Sequence, residues 1–158
     1  MTNDELLIII EESVKEIYFA DQFFQLCNEY NDYDNRCSVK NSNVLAILKD
    51  LNFSMVSSAK ESIFYKDYEF SDFKIRFILP YKSGFIDCSY VYWNDDNSIR
   101  VYGGNRENLR LGSSVLMESL KNLMPIATNL IDLEKIIKKV IELHLKFMES
   151  FTKNLTIN

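Results

Sequence analysis

The sequence predicts an α+β fold: a helix first, an antiparallel meander of four or five strands in the middle, and helices at the end. Three observations carry this. Apolar residues recur three and four apart between Leu7 and Tyr30 and again after Asn129. From Phe53 to Tyr102 the period shortens to two. The runs of period two are separated by short polar turns, which favour sequential antiparallel pairing over crossover helices.

Thr2 and Glu5 have the spacing of a capping box, so a helix is expected to start at once. Leu7, Ile10, Val14, Ile17 and Phe24 then recur at helical spacing. Phe19, Phe23, Leu26 and Tyr30 widen that stripe, and one long helix to about Asn28 is expected. So broad a stripe implies burial on more than one side. Asn31-Asp32-Tyr33-Asp34-Asn35 is a polar turn cluster. Ser42 is placed to cap a short helix carrying Val44, Leu45, Ile47, Leu48 and Leu51.

Phe73, Ile75, Phe77 and Leu79 alternate with Lys74, Arg76 and Ile78, the pattern of a half-buried strand. Tyr81-Lys82-Ser83-Gly84 reads as a hairpin loop. The following strand, expected from Phe85 to Trp93, puts Ile86, Cys88, Tyr90 and Tyr92 on the core face and Asp87, Val91 and Trp93 on the other. Asn94 to Ser98 turns the chain, and Ile99 to Tyr102 returns. Two further strands are expected over Phe53–Ser57 and Ser62–Phe70. After Gly103-Gly104 come a helix near Ser114–Leu123, which Pro125 ends, and a last helix from about Asn129. The last carries Leu133, Ile136, Ile137, Val140, Ile141, His144, Phe147, Met148 and Phe151 on its apolar side. With no linker or repeat in view, residues 1–158 are read as one domain, long enough to bury roughly 70% of the unfolded chain's surface.

Composition narrows the function classes. The net charge is −5, and the densest basic cluster, Lys135, Lys138 and Lys139, reads as the polar face of a helix. Nucleic-acid binding draws most of its affinity from basic patches, so it is not expected. Leu6 to Ile10 is too short for a leader peptide or a membrane span. Cys27, Cys37 and Cys88 are odd in number and lack metal or redox spacing, so reduced thiols in the cytoplasm are expected.

No catalytic, cofactor or metal site is expected either. His144, the single histidine, lies on an apolar helix face without the partners that acid–base catalysis or zinc requires, and is read as a core-edge residue with one hydrogen bond. Cys88 points to the core, where a thiol is inert. The Gly103–Asn108 loop lacks a phosphate-loop order. Asp95-Asp96-Asn97 and the Asp32–Asn35 cluster lack the calcium-loop pattern and read as turns.

What remains is a mixture of acids and aromatics: Asp67, Tyr68, Glu69 and Asp72, then Asp87, Trp93, Asp95 and Asp96. Aromatic residues anchor protein interfaces and acids select basic partners, so these eight are the candidate partner-binding residues.

The run Phe73-Lys74-Ile75-Arg76-Phe77-Ile78-Leu79-Pro80, the stretch Gly84-Phe85-Ile86-Asp87 and the Gly103-Gly104 step toward a helix resemble the immunity proteins of bacterial polymorphic and contact-dependent toxin systems. The resemblance covers about the central third of the chain. It implies a non-enzymatic cytoplasmic inhibitor that binds one cognate toxin domain, with a basic, nuclease-like domain suiting the acidic charge. The alternative is a secretion-chaperone-like module that holds an effector segment.

Overall fold

The computed structural model describes residues 1–94, 99–103 and 124–157, with the backbone alone for Asn3, Asn94 and for 99–103. Helix α1 (Asn3–Glu16) opens with the expected box: the Thr2 amide donates to Glu5 Oε2 at 2.7 Å, and the Glu5 amide to Thr2 Oγ1 at 3.3 Å. The expected long helix is in fact two. The chain breaks at Ile17-Tyr18 and restarts as α2 (Phe19–Glu29). No glycine or proline causes the break. Tyr18 itself takes the left-handed conformation, φ 52° and ψ 41°, which costs about 1–2 kcal/mol for an L-residue.

Two things offset that cost. Gln22 Nε2 donates to the carbonyl of Ile17 at 2.6 Å. The change of direction also lets both apolar stripes reach the core: Leu6, Ile9, Ile10 and Val14 from α1, and Phe19, Phe23, Leu26 and Cys27 from α2. The α1 face is therefore turned slightly from expectation, with Leu7 and Ile17 only half-buried. Helix α3 (Asn41–Asp50) starts before Ser42; its cap is Lys40, whose amide donates to Asn43 Oδ1 at 2.9 Å.

Five strands follow in sequence order, each antiparallel to the next: β1 (Val56–Ser58), β2 (Ile63–Glu69), β3 (Phe73–Pro80), β4 (Ser89–Asn94) and β5 (Ile99–Gly103). The β3 alternation is as expected, with Phe73, Ile75, Phe77 and Leu79 all buried. Strand β4 begins later than expected because Phe85 and Ile86 pair elsewhere. Ile86 donates to the Pro125 carbonyl at 3.1 Å, Ala127 to that of Gly84 at 3.0 Å and Cys37 to that of Ala127 at 2.9 Å. This extended strap explains Gly84: its φ is +81°, and a Cβ there would lie 2.8 Å from the Cys37 carbonyl oxygen.

The last helix, α4 (Leu130–Ile157), is capped by Asn129, whose Oδ1 accepts from the Asp132 amide at 2.8 Å. It is the centre of the fold. Helices α1, α2 and α3 pack against it, while Phe147 meets Tyr90 at 4.9 Å and Phe151 meets Phe73 at 6.0 Å between ring centres. The expected helix at Ser114–Leu123, the Gly104–Asn108 loop and the Asp95–Ser98 turn fall outside the described residues.

Candidate functional site

Strand alternation sends Phe77, Tyr90 and Tyr92 toward α4, so their neighbours face the other way. The register makes the opposite face explicit. Arg76 on β3 stands across from Asp67 on β2 and Val91 on β4, and Lys74 stands across from Glu69 and Trp93. Phe73, Ile75, Phe77, Tyr90 and Tyr92 on the inner face are buried, whereas the described residues of this outer face are half-buried or exposed. At its centre the Arg76 guanidinium lies over the Tyr65 ring at 4.1 Å and over the Trp93 ring at 5.5 Å. These two aromatics are its diagonal neighbours on the flanking strands, within reach of a long side chain.

Asp67 holds the guanidinium in place with two parallel hydrogen bonds, 2.6 Å to Nε and 2.7 Å to Nη2. That fork also raises the arginine's already high pKa, so its charge is permanent. Beside it, Lys74 donates to Glu69 at 2.8 Å. The patch is thus aromatic and internally charge-balanced, with the charged ends of its long side chains paired.

The structure distributes the eight candidate residues as follows. Asp67, Glu69 and Trp93 share the outer face. Asp72 sits in the β2–β3 turn, 60% exposed and 3.6 Å from the Met1 amine. Asp87 is at the far end of the sheet, accepting the Cys88 amide at 2.7 Å. Tyr68 belongs to the inner face. Asp95 and Asp96 lie outside the described residues. Tyr65 and Arg76, which organise the patch, were not among the candidates. The signal for Arg76 was available, since it sits at a wetter position of β3, whose other positions Phe73, Ile75, Phe77 and Leu79 are all large and apolar; β2 gives Tyr65 no such signal, because Lys66 interrupts the alternation.

The inner face carries a second cluster. His144 is fully buried rather than at the core edge, and it makes two hydrogen bonds, not one. Its Nε2 lies 2.7 Å from Tyr68 Oη and its Nδ1 3.0 Å from Tyr90 Oη. The ring stacks on Phe77 at 3.8 Å and meets Phe53 edge-on. Burial, with the nearby Lys66 charge, pushes its pKa down to about 3, so the imidazole is neutral. Burial holds the Tyr68 hydroxyl up at about 12 and also raises the Tyr90 hydroxyl and the Cys88 thiol. A neutral histidine donates from one nitrogen and accepts at the other, so the two tyrosines take opposite roles. The cluster satisfies its own polarity. Among the described residues no buried side-chain nitrogen or oxygen lacks a partner, and no group of His, Cys, Asp and Glu has the arrangement of a metal site.

Compared with known proteins, the chain matches no family model, no curated protein and no solved structure. Fold and geometry define it as an α+β protein with an antiparallel sheet whose inner face is packed on a central helix. No helix among the described residues is long and apolar enough to cross a membrane.

Proposed function

We propose that this chain is a non-enzymatic immunity-type inhibitor that binds one cognate toxin domain, of basic, nuclease-like character, through the outer face of its sheet. The observation that carries the reading is the Arg76 cluster. Tryptophan, tyrosine and arginine dominate the energetics of protein interfaces, and here all three stand together, with the arginine fixed by Asp67 before any partner arrives. Ordering long side chains in advance removes a cost that binding otherwise meets, roughly 0.5–1.5 kcal/mol for each one immobilised. The net charge of −5 supplies long-range steering toward a basic partner, while the balanced patch supplies contact.

The test is co-expression with the toxin encoded beside this chain, together with calorimetric affinity for the purified toxin domain. The unaltered chain is expected to restore growth. Trp93→Ala and Arg76→Ala, each shown folded by circular dichroism, are expected to weaken binding at least tenfold. Full protection and unchanged affinity in the double variant would move the interface elsewhere. A chain that forms a dimer and stabilises a partly unfolded effector segment, without inhibiting any toxin, would support the chaperone reading instead.

A further inference from the structure

The end of the sheet that carries Trp93 also carries a cavity on its inner side. The β2–β3 turn reaches over the start of α1 and the end of α4, leaving a groove of about 610 Å³. Its floor is apolar, formed by Ile9, Phe73 and Leu155, and Ile8 stands at its edge 55% exposed. Phe70 forms one wall, stacked on Phe73 at 4.6 Å and set edge-on to Phe151 at 5.7 Å. A second, shallower cavity of about 610 Å³ begins on the other side of the same ring, bounded by Met148 and Thr152.

The rims are net acidic. Asp72 and Glu5 border the first cavity with the Met1 amine, and Glu69 and Glu149 border the second with Lys153. Glu5 is engaged only in the Thr2 cap, and Glu149 has no ion pair among the described residues. Lys153, which lines the second cavity, is paired with Glu16 at 2.6 Å. Asp72 faces the Met1 amine at 3.6 Å, while Glu5 and Glu149 carry no ion pair among the described residues, so an apolar floor with a net acidic rim favours an apolar segment carrying basic residues and disfavours an acidic one.

We infer that the paired grooves astride Phe70 are a second docking site, taking apolar side chains of a lysine- or arginine-bearing segment of the protein partner. The inference rests on the partner reading above and extends it, because the β2–β3 turn joins this groove to the outer patch and a partner gripping the turn would meet both. Recognition would follow the pattern of apolar anchors seated in pockets with charge pairs at the rim.

The site is testable without the toxin. The probe is a synthetic amphipathic peptide of leucine and lysine, titrated into methyl-labelled protein, with its leucine–glutamate counterpart as control. Saturable shifts confined to the methyl groups of Ile8, Ile9, Met148 and Leu155 are expected, at least tenfold stronger for the lysine peptide. Ile8→Lys and the double change Asp72→Lys, Glu149→Lys, all at surface positions, are each expected to weaken that binding tenfold or more. Equal binding of the two peptides, shifts spread over the whole surface, or variants that bind as before would each overturn the inference. A loss of peptide binding in Ile8→Lys with toxin affinity unchanged would show the groove is real but unused by the toxin, overturning its assignment to this partner. Failure of the chain to inhibit any toxin would bear on the functional reading and leave the peptide result standing.

Discussion

Strands β2, β3 and β4 carry two clusters of similar build on opposite faces. Inside, His144 is hydrogen-bonded by Tyr68 and Tyr90 and stacked on Phe77. Outside, Arg76 is covered by Tyr65 and Trp93 and held by Asp67. Each is a planar nitrogen-bearing group among aromatic rings. They differ in solvent, and this decides their chemistry. Burial makes the imidazole neutral: it disfavours the charged form, Lys66 repels a positive charge, and no counter-ion among the described residues faces the ring. The guanidinium, on the surface, keeps its charge and its carboxylate. The inner cluster therefore serves packing, and the outer one leaves a charged, aromatic group partly exposed.

The comparison makes its strongest demand at Phe77, which floors the inner cluster. Phe77→Ala removes a fully buried ring and leaves His144 without its stacking partner. A loss of about 3–5 kcal/mol is expected in denaturant unfolding. A loss under about 1 kcal/mol would mean that the inner face tolerates rearrangement as the outer one should.

Acid separates the faces next. The folded-state pKa of His144 is about 3 against an ordinary 6.5, so below pH 6.5 the unfolded chain takes up a proton that the folded chain refuses. Stability is therefore expected to fall as pH drops from 6.5, by about 1.4 kcal/mol per pH unit and about 2.5 kcal/mol in all by pH 4.5. The groups facing the ring are Lys66 and Tyr68 from β2 and Tyr90 from β4, and none is an acid titrating in that window. His144→Gln should remove the slope between pH 6.5 and 4.5 while lowering stability at pH 7. An unchanged slope would assign it to the carboxylates, among them Glu16, which its hydrogen bonds from Lys153 and Ser150 hold below the usual range.

The two tyrosines grade the effect of burial within the inner cluster. Tyr90 is wholly enclosed, so Tyr90→Phe strands His144 Nδ1 and should cost about 1–3 kcal/mol. Tyr68 is only half-buried. Water can replace its hydroxyl at Nε2, and Tyr68→Phe should cost less than half as much in the same melts.

These two residues also show what was legible beforehand. The alternation of β3 and the core face of β4 follow from residue type, because large apolar side chains at period two have only one way to be buried. The His144 pairings do not follow. They join positions 76 and 54 residues apart, and nothing local to Tyr68 says that its hydroxyl turns inward. The Ile17-Tyr18 break was hidden for a related reason. A tyrosine adopts a left-handed conformation only when distant packing repays it, and both helix stripes look continuous when read along one chain. The outer patch was half legible: its acids and Trp93 are candidates by residue type, while the grouping of Arg76 with Tyr65 and Trp93 needs the register, which places them on a diagonal.

The smallest expected effect on stability is the sharpest probe of the outer cluster. Arg76→Lys keeps the positive charge across from Asp67 but loses the two-pronged hydrogen bond and the flat surface over Tyr65 and Trp93. The pair is exposed by about a third on each side, where ion pairs contribute about 0–1 kcal/mol, so the melting curve should barely move. If the cluster is a binding surface organised in advance, affinity for the toxin domain should still fall about tenfold. The loss should appear mainly in the dissociation rate, since net charge and steering are unchanged. Equal small losses in stability and affinity would instead make Arg76 a surface residue that happens to be well packed. The lysine variant separates the two roles because it changes shape while holding charge constant.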